Sequence, residues 1–106
     1  MRVLFDQGTP VPLRHALTGH SVSTAYELGW ATLKNGDLLR SAEAHGFEVL
    51  VTTDTNLQYQ QNLAARRIAV VVLSTTSWPR IRVAIEHVVS AVSSATAGSY
   101  AEVSVP

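Results

Sequence analysis

The chain contains no cysteine. That excludes a disulfide scaffold, a thiolate zinc site and a cysteine nucleophile. Lysine is nearly missing too, with Lys34 the only one. Charge of one sign is not in excess, because eight Lys and Arg balance eight Asp and Glu. A domain that grips duplex nucleic acid by bulk positive charge is therefore not expected, though a local basic patch stays open. Long apolar runs are also lacking. The opening Met1-Arg2-Val3-Leu4-Phe5-Asp6 meets a carboxylate well before the roughly 7–15 apolar residues of a secretory signal. The segment Ile81 to Val92 is broken by Arg82, Glu86 and His87, too charged to span a bilayer. A soluble, cytoplasmic protein with no membrane contact is the expectation. Neither a Gly-x-Ser-x-Gly elbow nor a glycine-rich phosphate loop occurs. The four histidines do not pair at metal-ligand spacing.

What is present is a core. Of 106 residues, 46% are apolar, enough to fold and few enough for a single domain over 1–106. Val3-Leu4-Phe5 reads as a first strand ending at Asp6, and Gln7-Gly8-Thr9-Pro10 as a turn that opens a helix at Thr9 or Pro10. Leu13, Ala16 and Leu17 share one face of that helix, and Gly19 ends it. His20 to Ala25 reads as a second strand, and Tyr26 to Trp30 as a turn. A helix starts near Asn35-Gly36-Asp37 and stops at Gly46. Phe47 to Thr53 is a third strand ending at Asp54, followed by a helix from about Thr55 to Ala65. Arg67 to Leu73 is an unbroken apolar strand suited to the sheet centre. Trp78-Pro79 opens the longest helix, with Ile81, Ile85, Val88, Val89 and Val92 as its buried stripe. Tyr100 to Val105 alternates like an edge strand. Strands alternating with helices predict an α/β domain with a mainly parallel sheet of four to five strands.

In such a sheet, ligands bind outside the carboxyl ends of the strands. Asp6 and Asp54 both lie at such ends. If their strands are neighbours, the ends sit about 5 Å apart. Two ionised carboxylates that close repel, so one keeps a proton or a cation sits between them. An all-oxygen set favours Mg²⁺ or Mn²⁺. Asp37 and Glu27 follow the second strand and can project over the same end, Glu27 held near the core rim by Tyr26 and Leu28. Each acid also has a structural reading: Asp6 as acceptor in its turn, Asp37 as an N-cap, Asp54 as a cap with help from Thr52 or Thr53. Arg66 and Arg67 belong at the opposite end of the sheet. Arg14, Arg80 and Arg82 are placed to flank the acids, and arginine suits a phosphate backbone.

The stretches Val3-Leu4-Phe5-Asp6-Gln7, Glu27-Leu28-Gly29-Trp30, Asn35-Gly36-Asp37-Leu38-Leu39 and Val51-Thr52-Thr53-Asp54-Thr55-Asn56-Leu57 resemble, in order and spacing, the small bacterial PIN-like domain proteins. So does Tyr59-Gln60-Gln61-Asn62-Leu63 with Arg67 to Leu73; together the likeness runs from Met1 to about Trp78. The resemblance implies a three-layer α/β/α PIN-like domain and a metal-dependent ribonuclease. It implies Asp6, Asp37 and Asp54 as ligands of Mg²⁺ or Mn²⁺, with Glu27 a fourth catalytic candidate. RNA is the implied substrate, and a small antitoxin protein the implied partner if the chain is the toxin of a toxin–antitoxin pair. Many PIN-like proteins carry a further acid two residues after the third-strand aspartate. Here that residue is Asn56, which can coordinate through oxygen but adds no charge. Arg14, Asn56, Arg80 and Arg82 are the candidate substrate contacts.

Two other readings compete. One is a catalytically weak or inactive PIN-like module that docks a protein. The other is a receiver-type phosphoacceptor domain, which shares acids after strands one and three but needs a lysine after the last strand; Lys34 comes far too early. A homodimer through the long helix or the Tyr100–Val105 strand is a further expectation.

Overall fold

Val3-Leu4-Phe5, Val49-Leu50-Val51 and Ala69 to Leu73 are apolar at every position. A sheet built from them must be covered on both faces. The computed structural model, which describes residues 1–57 and 62–106, shows that arrangement. Strands β1 (Arg2–Phe5), β2 (Ser21–Thr24), β3 (Val49–Thr52), β4 (Ala69–Leu73) and β5 (Tyr100–Val103) form one sheet in the order β2-β1-β3-β4-β5. All four pairings are parallel. The three apolar strands take the centre; the more polar β2 and β5 take the edges.

Alternate residues of the central strands feed two separate cores. Val3, Phe5, Val49, Val51, Ala69, Val71 and Leu73 pack on one face with Leu13, Leu17, Ile81, Val88 and Val92. Leu4, Leu50, Val70 and Val72 pack on the other with Leu38, Leu39 and Ala42 of helix α1 (Asn35–Ala44). Helices α2 (Trp78–Val83) and α3 (Ile85–Ser93) cover the first face. The result is the expected three-layer α/β/α domain, with a sheet that is wholly parallel. No helix among the described residues is long and apolar enough to cross a membrane.

Helix α1 stops as its sequence predicts. Gly46 takes φ +79°, its N–H donates to the Glu43 carbonyl, and the Phe47 N–H reaches back to Ala42. These two bonds satisfy carbonyls the helix end would otherwise strand. Glu43 then ties this corner to the start of β4. It accepts from the Arg66 guanidinium at 2.5 Å and from the Arg67 backbone N–H at 2.9 Å. Arg66 and Arg67 therefore lie at the amino end of the sheet, opposite the acids, as expected. Burial raises the Glu43 carboxyl, but the Arg67 N–H and the Arg66 guanidinium outweigh it and hold the group below its ordinary value.

Three elements differ from the sequence reading. The helix expected from Thr9 or Pro10 is a 3-10 helix over Val11–Ala16, closed by i to i+3 bonds such as Leu17 N–H to the Arg14 carbonyl. Six residues with Pro10 and Pro12 at the start leave too few donors for α geometry. Leu13 and Leu17 are nonetheless fully buried. The long helix is two segments that meet at Ala84 (φ −101°, ψ 22°). Ile81, Ala84, Val88 and Val92 are its buried stripe, with Ile85 and Val89 only partly covered. The helix expected over Thr55 to Ala65 runs through residues 58–61, which lie outside those described; beyond them Leu63–Ala65 forms one 3-10 turn.

Candidate functional site at the β1–β3 rim

The sheet order reverses between β1 and β3, since β2 lies outside one and β4 outside the other. In an open parallel sheet this switch point leaves a crevice beyond the strand ends. Register decides what stands there. Phe5 pairs with Val51, so the next positions, Asp6 and Thr52, face each other across the two strands. Both side chains emerge on one face, and the Thr52 hydroxyl donates to Asp6 Oδ2. The same Oγ1 accepts the Asp54 backbone N–H at 3.1 Å. One buried hydroxyl thus joins the two strand-end aspartates.

The turn after β1 wraps back onto Asp6. The Gly8 N–H and the Thr9 hydroxyl reach Asp6 Oδ1 at 3.2 and 2.9 Å. Glycine is required for this approach, because a Cβ at Gly8 would sit 2.4 Å from Thr53 Oγ1. Thr9 Oγ1 is also 2.8 Å from the Val51 carbonyl. A hydroxyl has one proton for these two acceptors. When Asp6 is protonated it can donate to Thr9, freeing the Thr9 proton for Val51; when ionised it takes the Thr9 proton itself. Burial pushes the Asp6 carboxyl above its ordinary value, against the bonds from Thr52, Thr9 and the Gly8 and Thr9 backbone N–H groups that pull it down. A half-buried acid whose carboxyl is pushed up by burial, standing at a switch-point crevice, is a functional candidate on physical grounds.

Asp54 is held differently. Its Oδ1 accepts the Asn56 N–H at 3.0 Å, and its Oδ2 accepts Asn35 Nδ2 at 2.6 Å. Asn35 opens α1, so the helix start is drawn against this rim. Asp37, two residues on, stays exposed and pairs with Arg40 one turn along. It does not cap α1, whose N-cap is Lys34. Glu27 accepts the Thr24 N–H at 2.9 Å and is chelated by Arg14, at 2.9 and 3.3 Å. The Arg14 bond and the Thr24 N–H hold its carboxyl below the ordinary value. Arg14 pins it, not Tyr26 and Leu28, which are exposed with it. Among the described residues no three His, Asp or Glu side chains come together as a ligand group.

Asp6 and Asp54 therefore share a rim, while Asp37 and Glu27 are engaged by arginines on either side of it. Arg14 reaches the site. Arg80 is turned to the Pro106 carbonyl beyond β5, and Arg82 is an exposed residue of α2. Asn56 contributes its backbone N–H to Asp54. Sequence reasoning named Thr52 as a helper of Asp54 but missed its bond to Asp6, and missed the Thr9 hydroxyl and the amide of Asn35. Register would have shown Thr52, a polar residue closing an apolar strand directly across from Asp6.

Beside Asp6, on the β2 side, lies a cavity of about 290 Å³ lined by Asp6, Thr9, Val11, Arg14, Tyr26 and Glu27 with two neighbours. As for a hard cation, Mg²⁺ commonly takes one or two carboxylates and keeps several waters. Two aspartates with the Thr9 and Thr52 hydroxyls meet that carboxylate count, and among the described residues no cage of three or more carboxylates forms. Comparison with protein-family models, curated proteins and solved structures gives no match, so the chemistry of this rim is judged from its own atoms.

Proposed function

We propose that the chain is a Mg²⁺- or Mn²⁺-dependent ribonuclease of PIN-like type, working at the β1–β3 rim. The observation that carries the reading is the Thr52 hydroxyl linking Asp6 to Asp54 at the topological switch point. A bound divalent cation supplies Lewis-acid activation of a phosphate and of a water. The chain's part is to hold it and to orient what it activates. Asp6 and Asp54 are the two ligands, and Asn35 fixes the Asp54 carboxylate from behind. Thr52 and the Gly8–Thr9 turn fix Asp6. Asp37, in the first turn of α1 and paired with Arg40, would be the third acid of the set. Arg14 stands on the cavity side, where its guanidinium is held by Glu27 and the Val22 carbonyl.

Asp6→Asn and Asp54→Asn are expected to fold and to lose manganese-dependent cleavage of a generic RNA, which chelator also stops. Equal cleavage by wild type and Asp6→Asn would assign the activity to a contaminant. A specific observation favours a second reading, a non-catalytic binding module: Asp6, Asp54, Glu27 and Asp37 already have protein partners, and among the described residues no three acids meet. Absence of saturable Mn²⁺ binding would select it. In either case an antitoxin-like protein partner is a proposal to be tested by co-purification. The phosphoacceptor reading shares this strand order by fold analogy alone. It still lacks the lysine it needs after the last strand, since the only lysine is Lys34.

A further inference from the structure

Four large apolar side chains are exposed among the described residues: Val11, Tyr26, Leu28 and Val83. Two of them, Val11 and Tyr26, line the cavity beside Asp6, and Leu28 belongs to the Tyr26 turn. Tyr26 is 77% exposed and Val11 49%. A folded chain leaves a ring this open at little benefit to its own core, and an apolar wall beside a polar crevice marks a ligand surface.

The cavity's charges decide what kind of group it suits. Arg14 is already neutralised by the two bonds to Glu27, and its Nη2 also donates to the Val22 carbonyl at 2.8 Å. The Asp6 oxygens already accept from Thr52, Thr9 and the Gly8 N–H. The floor thus offers no unengaged cation but is rich in hydrogen-bonding groups, with the exposed Tyr26 beside it. A phosphate would find no free cation inside. A neutral, planar ring with polar edges matches both the floor and the wall. At about 290 Å³ the space lies at the low end for small-molecule sites, roughly 300–1,000 Å³. That is room for one ring system.

We propose that this cavity is a nucleobase subsite, in which one base of a single-stranded RNA stacks on Tyr26 against Val11 while its phosphate lies toward Asp6 and Asp54. The proposal rests on the ribonuclease reading and names how that site holds its substrate. A stacked base demands an unpaired strand, so duplex RNA is excluded. Stacking tolerates every base, because each has a π face, and the polar floor supplies only modest preference.

The test is equilibrium binding of a short fluorescein-labelled oligouridylate, followed by anisotropy in EDTA so that no cleavage occurs. Tyr26→Ala is expected to weaken binding roughly 5- to 150-fold, the range of one lost base–aromatic stack. Tyr26→Phe keeps the ring and is expected to restore most of the affinity. An abasic oligonucleotide of the same length is expected to bind wild type and Tyr26→Ala equally weakly. Tyr26 is exposed, so both variants should show wild-type circular dichroism. Wild-type affinity in Tyr26→Ala, or tight binding of the abasic strand, overturns the subsite. If wild type and Tyr26→Ala also cleave RNA equally with Mn²⁺, the subsite falls and the nuclease stands. If wild type neither binds nor cleaves RNA, both fall, and a ring from a protein partner becomes the occupant to pursue.

Discussion

Replacing Thr52 by valine removes one hydroxyl and keeps the side-chain shape. Thr52 is 1% exposed, and its oxygen serves two partners, donating to Asp6 and accepting from the Asp54 N–H. Losing the bond to a carboxylate costs about 1.5–3 kcal/mol when the acid is charged. Leaving the part-buried Asp54 N–H without a partner costs about 1–3 kcal/mol more, discounted where water reaches it. The new methyl returns about 0.8 kcal/mol of burial at best. Because the two losses share one atom they do not add fully, and the net is about 2–4 kcal/mol. For a domain of this size each kcal/mol moves Tm by about 4–8 °C, so Thr52→Val should melt roughly 10–30 °C below wild type. Thr52→Ser keeps the hydroxyl, loses one methyl, and should cost only about 0.5–1.5 kcal/mol. Thermal unfolding by circular dichroism reads both, with urea titration to confirm an unchanged slope. If the valine variant is as stable as the serine variant, the hydroxyl bridge between the aspartates is refuted.

Other outcomes follow from named atoms. Burial raises the Asp6 carboxyl, so the folded chain holds that proton to higher pH than the unfolded chain does. Its contribution is full below the unfolded value, near ~3.9, and is lost as pH rises through the folded value. Asp6→Asn should therefore be more stable than wild type near neutral pH, the gap closing as pH falls; a gap independent of pH would show that Asp6 is not perturbed. Glu43 is held low, so its contribution has the opposite sign. It is present above the unfolded value, near ~4.3, and lost as pH falls through the folded one; Glu43→Gln should lose stability at neutral pH and converge with wild type in acid. Gly46→Ala places a Cβ at φ +79° and 2.9 Å from Arg2 Nη1, and should cost about 1 kcal/mol or more by urea denaturation. Leu39→Ala, fully buried under α1, should cost about 2–5 kcal/mol in the same assay.

The sheet was legible because Val3-Leu4-Phe5, Val49-Leu50-Val51 and Ala69 to Leu73 carry no polar residue, and only burial on both faces accommodates that pattern. Gly46 marked the end of α1 because few other residues adopt its backbone angle. Elements near proline were read too generously. Pro10 and Pro12 suggest a helix start, yet they leave six residues that close as 3-10 turns. Periodicity alone did not show the break at Ala84, since Ile81, Ala84, Val88 and Val92 keep a continuous buried stripe across it. Asp6 and Asp54 were identifiable from their places after strands. Their linkage was not, because Thr52 belongs to the site only through the register of β1 on β3. Asp37 and Glu27 show the converse: loops bring them to the correct end of the sheet, and arginines three and thirteen positions away then claim their carboxylates.

Calorimetric titration of Mn²⁺ into wild type, Asp6→Asn and Asp54→Asn, repeated in buffers of different ionisation enthalpy, addresses the rim as a cation site without reference to any substrate. Wild type should bind saturably, with the same proton-corrected affinity in each buffer, and each variant should lose that binding. Saturable binding that survives both substitutions, or none in wild type, would contradict the assignment of Asp6 and Asp54 as the cation's ligands.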